Sequence, residues 1–290
     1  VRLSSRPWRL VALAALVLAS VTAAGCSRFG APDPASEQGE SVLTLWRGFF
    51  VTALFVAGLV WGLLIFVLLR YRRRTGADGV EASDVDLAPD DLPDQQAYNI
   101  PLEVFYTAVP VVVVAGLFGF SWVTERDVNE LSDDPAVEVE VVGFQWSWEF
   151  RYHDEDVVIT GEPDEPPELV LPVDQPSQLK LVSTDVNHAF WVPDFLSKRD
   201  LIPGIDNEIE VTPTETGTFQ GRCAEFCGLD HWQMYYTVRV VTEDEYDDWI
   251  AEQKADQARD AATDDDVDST TSTTGVTETT DIPDTGSDES

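Results

Sequence analysis

The stretch "AVEVEVVGFQWSWEFRY", Ala136 to Tyr152, decides the fold. Val137, Val139 and Val141 recur every second residue, the period of a strand with one buried face. "QWSWEFRY" reads as a continuation of that strand, with aromatics at Trp146, Trp148 and Phe150. Further short strands follow in "PELVLP", "SQLKLVS", "AFWV", "NEIEVTP", "TGTFQGR" and "MYYTVRVV". Pro172, Pro176, Pro193, Gly204, Pro213 and Gly217 punctuate them. Several short strands at such spacing predict an all-β sandwich or barrel, here over residues 125–245. Beyond it, "EDEYDDWIAEQKADQARD" predicts a surface helix, bounded at 246–260. Residues 261–290 form an Asp/Thr/Ser tract without aromatics, which cannot bury a core and is expected to be disordered.

Upstream of the strands the pattern is apolar. Gly48 to Leu69 carries no charge and is long enough to cross a bilayer, and Arg70, Arg72, Arg73 and Arg74 follow it. The positive-inside rule places that end in the cytoplasm. Val104 to Val123 is a second such run, kinked by Pro110 and followed by acidic residues suited to the outer face. The expected anchor is a transmembrane α-hairpin: helices at 43–70 and 101–124, a cytoplasmic loop at 71–100 and an exported segment at 26–42. Residues 1–25 have the layout of a secretory signal: Arg2, Arg6 and Arg9, a short apolar run, then small residues. "AAGC" ends at Cys26 and resembles a bacterial lipobox, although Ala23 stands where Leu is usual. The expectation is a lipoprotein-type signal with lipid on Cys26; the alternative is an ordinary signal peptide.

The 290 residues carry 53 acidic and 18 basic side chains, a net charge of -35. Nucleic acid is excluded as a partner, because phosphates are met by Lys and Arg. A basic protein partner fits, since an acidic surface steers cations.

The chain has 3 Cys, 3 His and 1 Met, and "CAEFCGLDHWQM", Cys223 to Met234, holds two of the Cys, one His and the Met. A Cys223–Cys227 disulfide suits an exported domain. Two thiolates and two imidazoles suit zinc, but zinc has no need of a thioether. Imidazole, thiolate and thioether together belong to copper. A blue-copper site uses a single Cys; two thiolates four residues apart can bridge two copper ions, each completed by one His. His188, at the end of a strand, is the available second imidazole, and His153 among charges reads as a surface residue.

"CAEFCGLDHWQM" resembles the binuclear Cu-A loop, C-x-E-x-C-G-x-x-H-x-x-M, of cytochrome c oxidase subunit II. "HAFWVPDFLSKRDLIPG" resembles that family's His-centred segment, "GFQWSWEF" its aromatic strand, and the hairpin its membrane anchor. The likeness covers roughly residues 40 to 245 and points to an actinobacterial type. The resemblance implies a cupredoxin-like Greek-key sandwich on the outer face of a bacterial cell membrane. It implies that Cys223 and Cys227 bridge two coppers, His188 and Met234 completing one, and His231 and the Glu225 carbonyl the other. The Glu225 carboxylate would lie toward a magnesium shared with subunit I. Trp146 would receive electrons from cytochrome c, soluble or membrane-bound, and Glu103 would stand at the mouth of a proton pathway. Phe190, Trp191, Phe226 and Trp232 are expected to keep water from the metals. With two His on copper only His153 remains for a haem, so O2 reduction falls to subunit I, assembled with subunit III and pumping protons. The alternative is a stand-alone, membrane-anchored copper-binding carrier or copper-handling lipoprotein.

Overall fold

Ser36 starts the first helix and ties it to the sheets. In the computed structural model, which describes residues 29–71, 97–162 and 165–271 (backbone alone from 260), helix α1 spans Glu37–Arg70. The Ser36 hydroxyl accepts from the Gly39 amide at 3.1 Å and donates to the Phe195 carbonyl at 3.1 Å. Glu37 and Glu40 in the first turn and Arg70 in the last suit the helix dipole. The helix begins before the expected residue 43 because its first turns are held by the strand domain rather than by lipid. The Glu37 amide donates to the Thr212 carbonyl at 3.0 Å, and Gly39 and Leu43 are buried.

Helix α2 spans Ile100–Val128, past the expected end at 124, and stops where Asn129 bonds back to the Glu125 carbonyl. Both helices are long and apolar enough to cross a membrane. They pack on each other with the Phe120 ring against Gly48, where an added Cβ would come within 2.5 Å of it. The signal segment, Cys26, most of the expected cytoplasmic loop and residues 272–290 lie outside the described residues.

The strands are β1 (Val137–Phe144), β2 (Ser147–Tyr152), β3 (Val157–Thr160), β4 (Glu168–Pro172), β5 (Ser177–Ser183), β6 (His188–Val192), β7 (Ser197–Leu201), β8 (Asn207–Val211), β9 (Gly217–Cys223) and β10 (Tyr235–Val241). They form two five-stranded sheets, ordered β3-β2-β1-β5-β8 and β4-β10-β9-β6-β7. The chain crosses between sheets, and the inward side chains (among them Val141, Phe150, Leu169, Leu181 and Val238) interleave as one core.

Three expectations are corrected. "QWSWEFRY" does not continue the first strand: Gln145 and Trp146 form a turn, and Phe144 faces Ser147 across a hairpin. The inward register accordingly switches from Val139 and Val141 to Trp148 and Phe150. Strands β3 and β7 escaped the reading. Both are sheet edges, and "SKRDL" carries the charges that edges use to discourage further pairing. The final helix, α3 (Glu243–Thr271), is longer than 246–260, and its backbone continues into the tract expected to lack structure. Tyr246, Trp249 and Ile250 hold its start on the sandwich, with Trp249 edge-on to Tyr152 at 5.3 Å.

Register sets the polarity of the domain. Gly143 pairs with Ser183, Phe190 with Cys223 and Arg222 with Tyr235. The C-terminal ends of β1, β5 and β9 and the starts of β6 and β10 therefore meet at one end of the sandwich. The α1 junction at Phe195 and Thr212 lies at the other.

Candidate metal centre

Cys223 closes β9, and its amide donates to the Met234 carbonyl at 2.9 Å. That bond pinches residues 224–233 into a loop, which the Ala224 amide pins to the Ala189 carbonyl at 3.1 Å. A short 3-10 turn, His231–Gln233, folds His231 back toward the cysteines. His188 opens β6 on the facing strand and is fully buried. Gly143 makes room for it: a Cβ there would come within 3.2 Å of the imidazole.

The two sulfurs are 3.9 Å apart. A disulfide requires about 2.05 Å, so these are free thiols in van der Waals contact. With metal–sulfur bonds of about 2.3 Å, both sulfurs lie within reach of a common ion. The other donors flank them on two sides. His188 Nδ1 is 3.9 Å from Cys223 Sγ, and His231 Nδ1 is 3.5 Å from Cys227 Sγ. The Met234 sulfur lies 3.7 Å from Cys227 Sγ, and the Glu225 carbonyl oxygen 3.2 Å from Cys223 Sγ. The structure thus brings together all six of the residues expected to bind copper, each imidazole against a different thiol. Two thiolates between two imidazoles, with a thioether and a carbonyl beside them, form a donor set that fits soft or borderline metal such as copper.

Electrostatics separate the two thiols. Burial pushes both up, but at Cys223 the His188 imidazole, together with the backbone bonds at Ala189 and Glu225, outweighs it and holds that group below the ordinary thiol value. Burial, followed by the Cys223 charge, pushes the Cys227 thiol up to about 12. Metal must therefore displace a proton from Cys227, as thiolate ligation requires.

Trp146 is half-buried beside the loop. Its Nε1 donates to the Cys227 carbonyl at 3.3 Å, and Gln145 Nε2 donates to the same oxygen at 2.7 Å. Gly228 allows this approach, with φ at 125° and Gln145 Nε2 2.9 Å from where a Cβ would stand. Glu103 is elsewhere, in the first turn of α2. Its carboxylate accepts from the Asn99 amide at 2.8 Å while Asn99 accepts from the Leu102 amide at 3.3 Å, a reciprocal cap.

The expected shell is corrected. Phe190 is buried and Trp191 half-buried, but Phe226 and Trp232 are 76% and 67% exposed. Their loop positions face outward because the loop's inward directions are taken by the ligating groups. Trp148 and Tyr236 stand in their place. Trp148 lies edge-on to His188 at 6.2 Å and to Tyr236 at 5.0 Å, and its Nε1 donates to the Met234 carbonyl at 3.4 Å. Asp185, unmentioned by the sequence reading, accepts from His188 Nε2 at 2.8 Å. Its position three residues before His188 was the available signal.

The family profile described as "Cytochrome C oxidase subunit II, periplasmic domain" matches residues 162–241. The probable cytochrome c oxidase subunit 2 of Streptomyces coelicolor is 37% identical over 289 aligned residues, covering 83% of this chain and 86% of its own length. Cytochrome c oxidase subunit 2 of Mycobacterium tuberculosis is 30% identical, with coverage of 83% and 81%. The crystal structure of the periplasmic domain of subunit II of cytochrome oxidase from Bradyrhizobium japonicum is 32% identical, covering 42% of this chain and 96% of that one, at a TM-score of 0.40. A membrane hairpin, a β-sandwich and a Cys/His/Met cluster at one sandwich end thus meet relatives alike along most of their length. The chain belongs to the cytochrome c oxidase subunit II family.

Proposed function

We propose that this subunit carries electrons from a cytochrome c into the oxidase through a pair of coppers held at the end of the sandwich. The observation that carries this reading is the pair of free thiols 3.9 Å apart, with one imidazole against each. When bound, two coppers sharing two thiolates supply one-electron transfer with little change in bond lengths. The residues do the rest. Cys223, Cys227, His188, His231, Met234 and the Glu225 carbonyl would hold the metals, the two thiolates shared between them as the family resemblance implies, and Trp148, Phe190 and Tyr236 would exclude water.

Trp146 receives the electron. Its hydrogen bond to the Cys227 carbonyl supports this role, because it joins a half-buried ring to the backbone of a bridging residue. The electron then passes to subunit I, where O2 is reduced to water with proton pumping, subunit III completing the assembly. The Glu225 carboxylate reaches toward magnesium at the subunit I boundary. Glu103 serves a proton pathway at the cytoplasmic end of α2, in addition to capping that helix. The hairpin anchors the chain in the cell membrane with the sandwich outside.

Lipid on Cys26 adds a second anchor. Phe29 stacks on Phe50 of α1 with ring centres 4.3 Å apart, and Trp46 Nε1 donates to the Phe29 carbonyl at 3.2 Å. This sets residue 29 against the start of the apolar span, within chain reach of a lipid three residues earlier. Mass spectrometry of the mature N-terminus checks it: an unmodified Cys26 removes this anchor.

Copper reconstitution of the purified chain tests the central reading. The expected product is purple, with two coppers per chain and an EPR signal from one electron shared by both. A colourless zinc product, or a blue single-copper one, overturns it.

A further inference from the structure

Asp185 makes two connections that no other side chain in the centre makes. One carboxylate oxygen accepts from His188 Nε2 at 2.8 Å and from the Val186 amide at 2.6 Å. The other accepts from the Gln145 amide at 2.7 Å. His188 presents its opposite nitrogen, Nδ1, to Cys223. Gln145 opens the turn that carries Trp146, and the side chains of both turn residues, Gln145 and Trp146, donate to the Cys227 carbonyl. A single carboxylate therefore stands between an imidazole of the metal cluster and the turn bearing the aromatic ring beside it. The arrangement is partly shielded, the Asp185 side chain being 30% exposed.

We infer that Asp185 is a positioning residue, a strap that fixes the tautomer and aim of His188 and, through the Gln145 amide, holds Trp146 against the Cys227 carbonyl. The inference rests on the two-copper reading above. The physical case has two halves. A carboxylate accepting the outer N–H of an imidazole fixes its proton on Nε2, leaves Nδ1 free to bind metal, and makes that nitrogen a stronger donor. A charged acceptor also holds a backbone amide more firmly than a neutral one, which keeps the 145–146 turn from drifting off the loop. The two halves use different oxygens and are read by different measurements, the first by the metal and the second by Trp146.

The alternative is that Asp185 only shapes its own loop. The Val186 amide and the bond from the Ser183 hydroxyl to the Val186 carbonyl already provide a local turn there. A merely structural aspartate predicts unchanged metal properties once the loop is folded, and this is what the experiment separates.

Asp185→Asn and Asp185→Glu are made in the full chain and loaded with copper. Three readouts are taken: copper retention against a competing chelator, reduction potential by optical titration, and Trp fluorescence of the metal-free chain. Asp185→Asn is expected to bind two coppers with the shared-electron EPR signal intact, to hold them roughly 10–100-fold less tightly, and to shift the potential upward, since a weaker imidazole donor stabilises the oxidised pair less. Its metal-free fluorescence is expected to change as Trp146 loosens. Asp185→Glu, which keeps the charge, is expected to recover part of the potential and affinity. A folded Asp185→Asn chain with unaltered affinity and potential overturns the inference while leaving the copper pair standing. Absence of a two-copper signal in the unsubstituted chain overturns the underlying reading instead.

Discussion

Met234 is fully enclosed and adds a soft, neutral sulfur to a centre otherwise built from thiolates and imidazoles. A thioether at this position tunes a copper centre more than it holds it. Met234→Leu conserves volume and is expected to cost less than about 1.5 kcal/mol in stability. It should retain both coppers and shift the reduction potential, measured by optical titration. Loss of one copper on this substitution would show that the thioether holds the metal. The residue scale also explains why the loop alone misled on the shell. Phe226, Leu229 and Trp232 are 76%, 81% and 67% exposed. Apolar character predicts burial only when the backbone turns the side chain inward, and in a loop of this curvature only the tertiary contacts set that direction.

At the scale of elements, two attachments decide how rigidly the sandwich is held. The first is the start of α1. Ser36 is buried and serves both as helix cap and as donor to Phe195. Ser36→Ala leaves the Phe195 carbonyl and the Gly39 amide without that partner and is expected to cost about 1–2 kcal/mol. Thermal unfolding of the purified chain measures this; an unchanged midpoint would mean the junction does not contribute to the cooperative unit. The second is the β1–β2–β3 edge, where Arg151 bonds both Glu140 and Glu149, and Thr160 donates to Glu149. Burial raises the Glu149 carboxyl, but the Thr160 and Arg151 bonds together outweigh it and hold it below the ordinary carboxylate value. A lowered carboxyl contributes stability above its unfolded value, and that contribution is lost as pH falls through the folded one. With Arg151 41% exposed, screening limits it to roughly 0.5–1 kcal/mol. The net charge of -35 acts oppositely, since acid relieves repulsion. The test is therefore the difference between the wild-type chain and Glu149→Gln. That difference should vanish toward acid and open on the neutral side; a gap independent of pH would contradict the ion-pair account.

At the scale of the whole molecule, charge and assembly dominate. A chain with 53 acidic and 18 basic residues presents a negative field well beyond its contacts. Association with a basic soluble cytochrome c should therefore be steered, and its rate should fall about tenfold or more as salt is raised from low to high ionic strength. Stopped-flow mixing measures it. A rate indifferent to salt would point to a donor held in place by other means, such as a membrane-bound cytochrome. The proposed function predicts that gentle extraction brings haem and a large multi-span subunit with the chain; a chain that purifies without either would overturn that reading.

Uninterrupted apolar runs of bilayer length, two-residue alternation and the C-x3-C-x3-H-x2-M loop are local patterns. Their physical meaning does not depend on what they touch, and so the hairpin, the strand-rich domain and the candidate ligands are legible in the sequence. Edge strands β3 and β7 are not: β3 is four residues, too short to show an alternation, and β7 (Ser197–Leu201) has charges where a buried strand would have apolar residues. The turn at Gln145–Trp146 was hidden in an apparently unbroken strand. Its trace is the switch of inward residues from Val141 to Trp148, which acquires meaning only once strand pairing is known. The sequence named His188 as the distant imidazole, but that Trp146 reaches the Cys227 carbonyl and that Asp185 joins His188 to the Gln145 amide came only from the contacts between elements. Local patterns specify elements. Contacts between elements are set by register and by the packing of one sheet on the other, and the centre is built from such contacts.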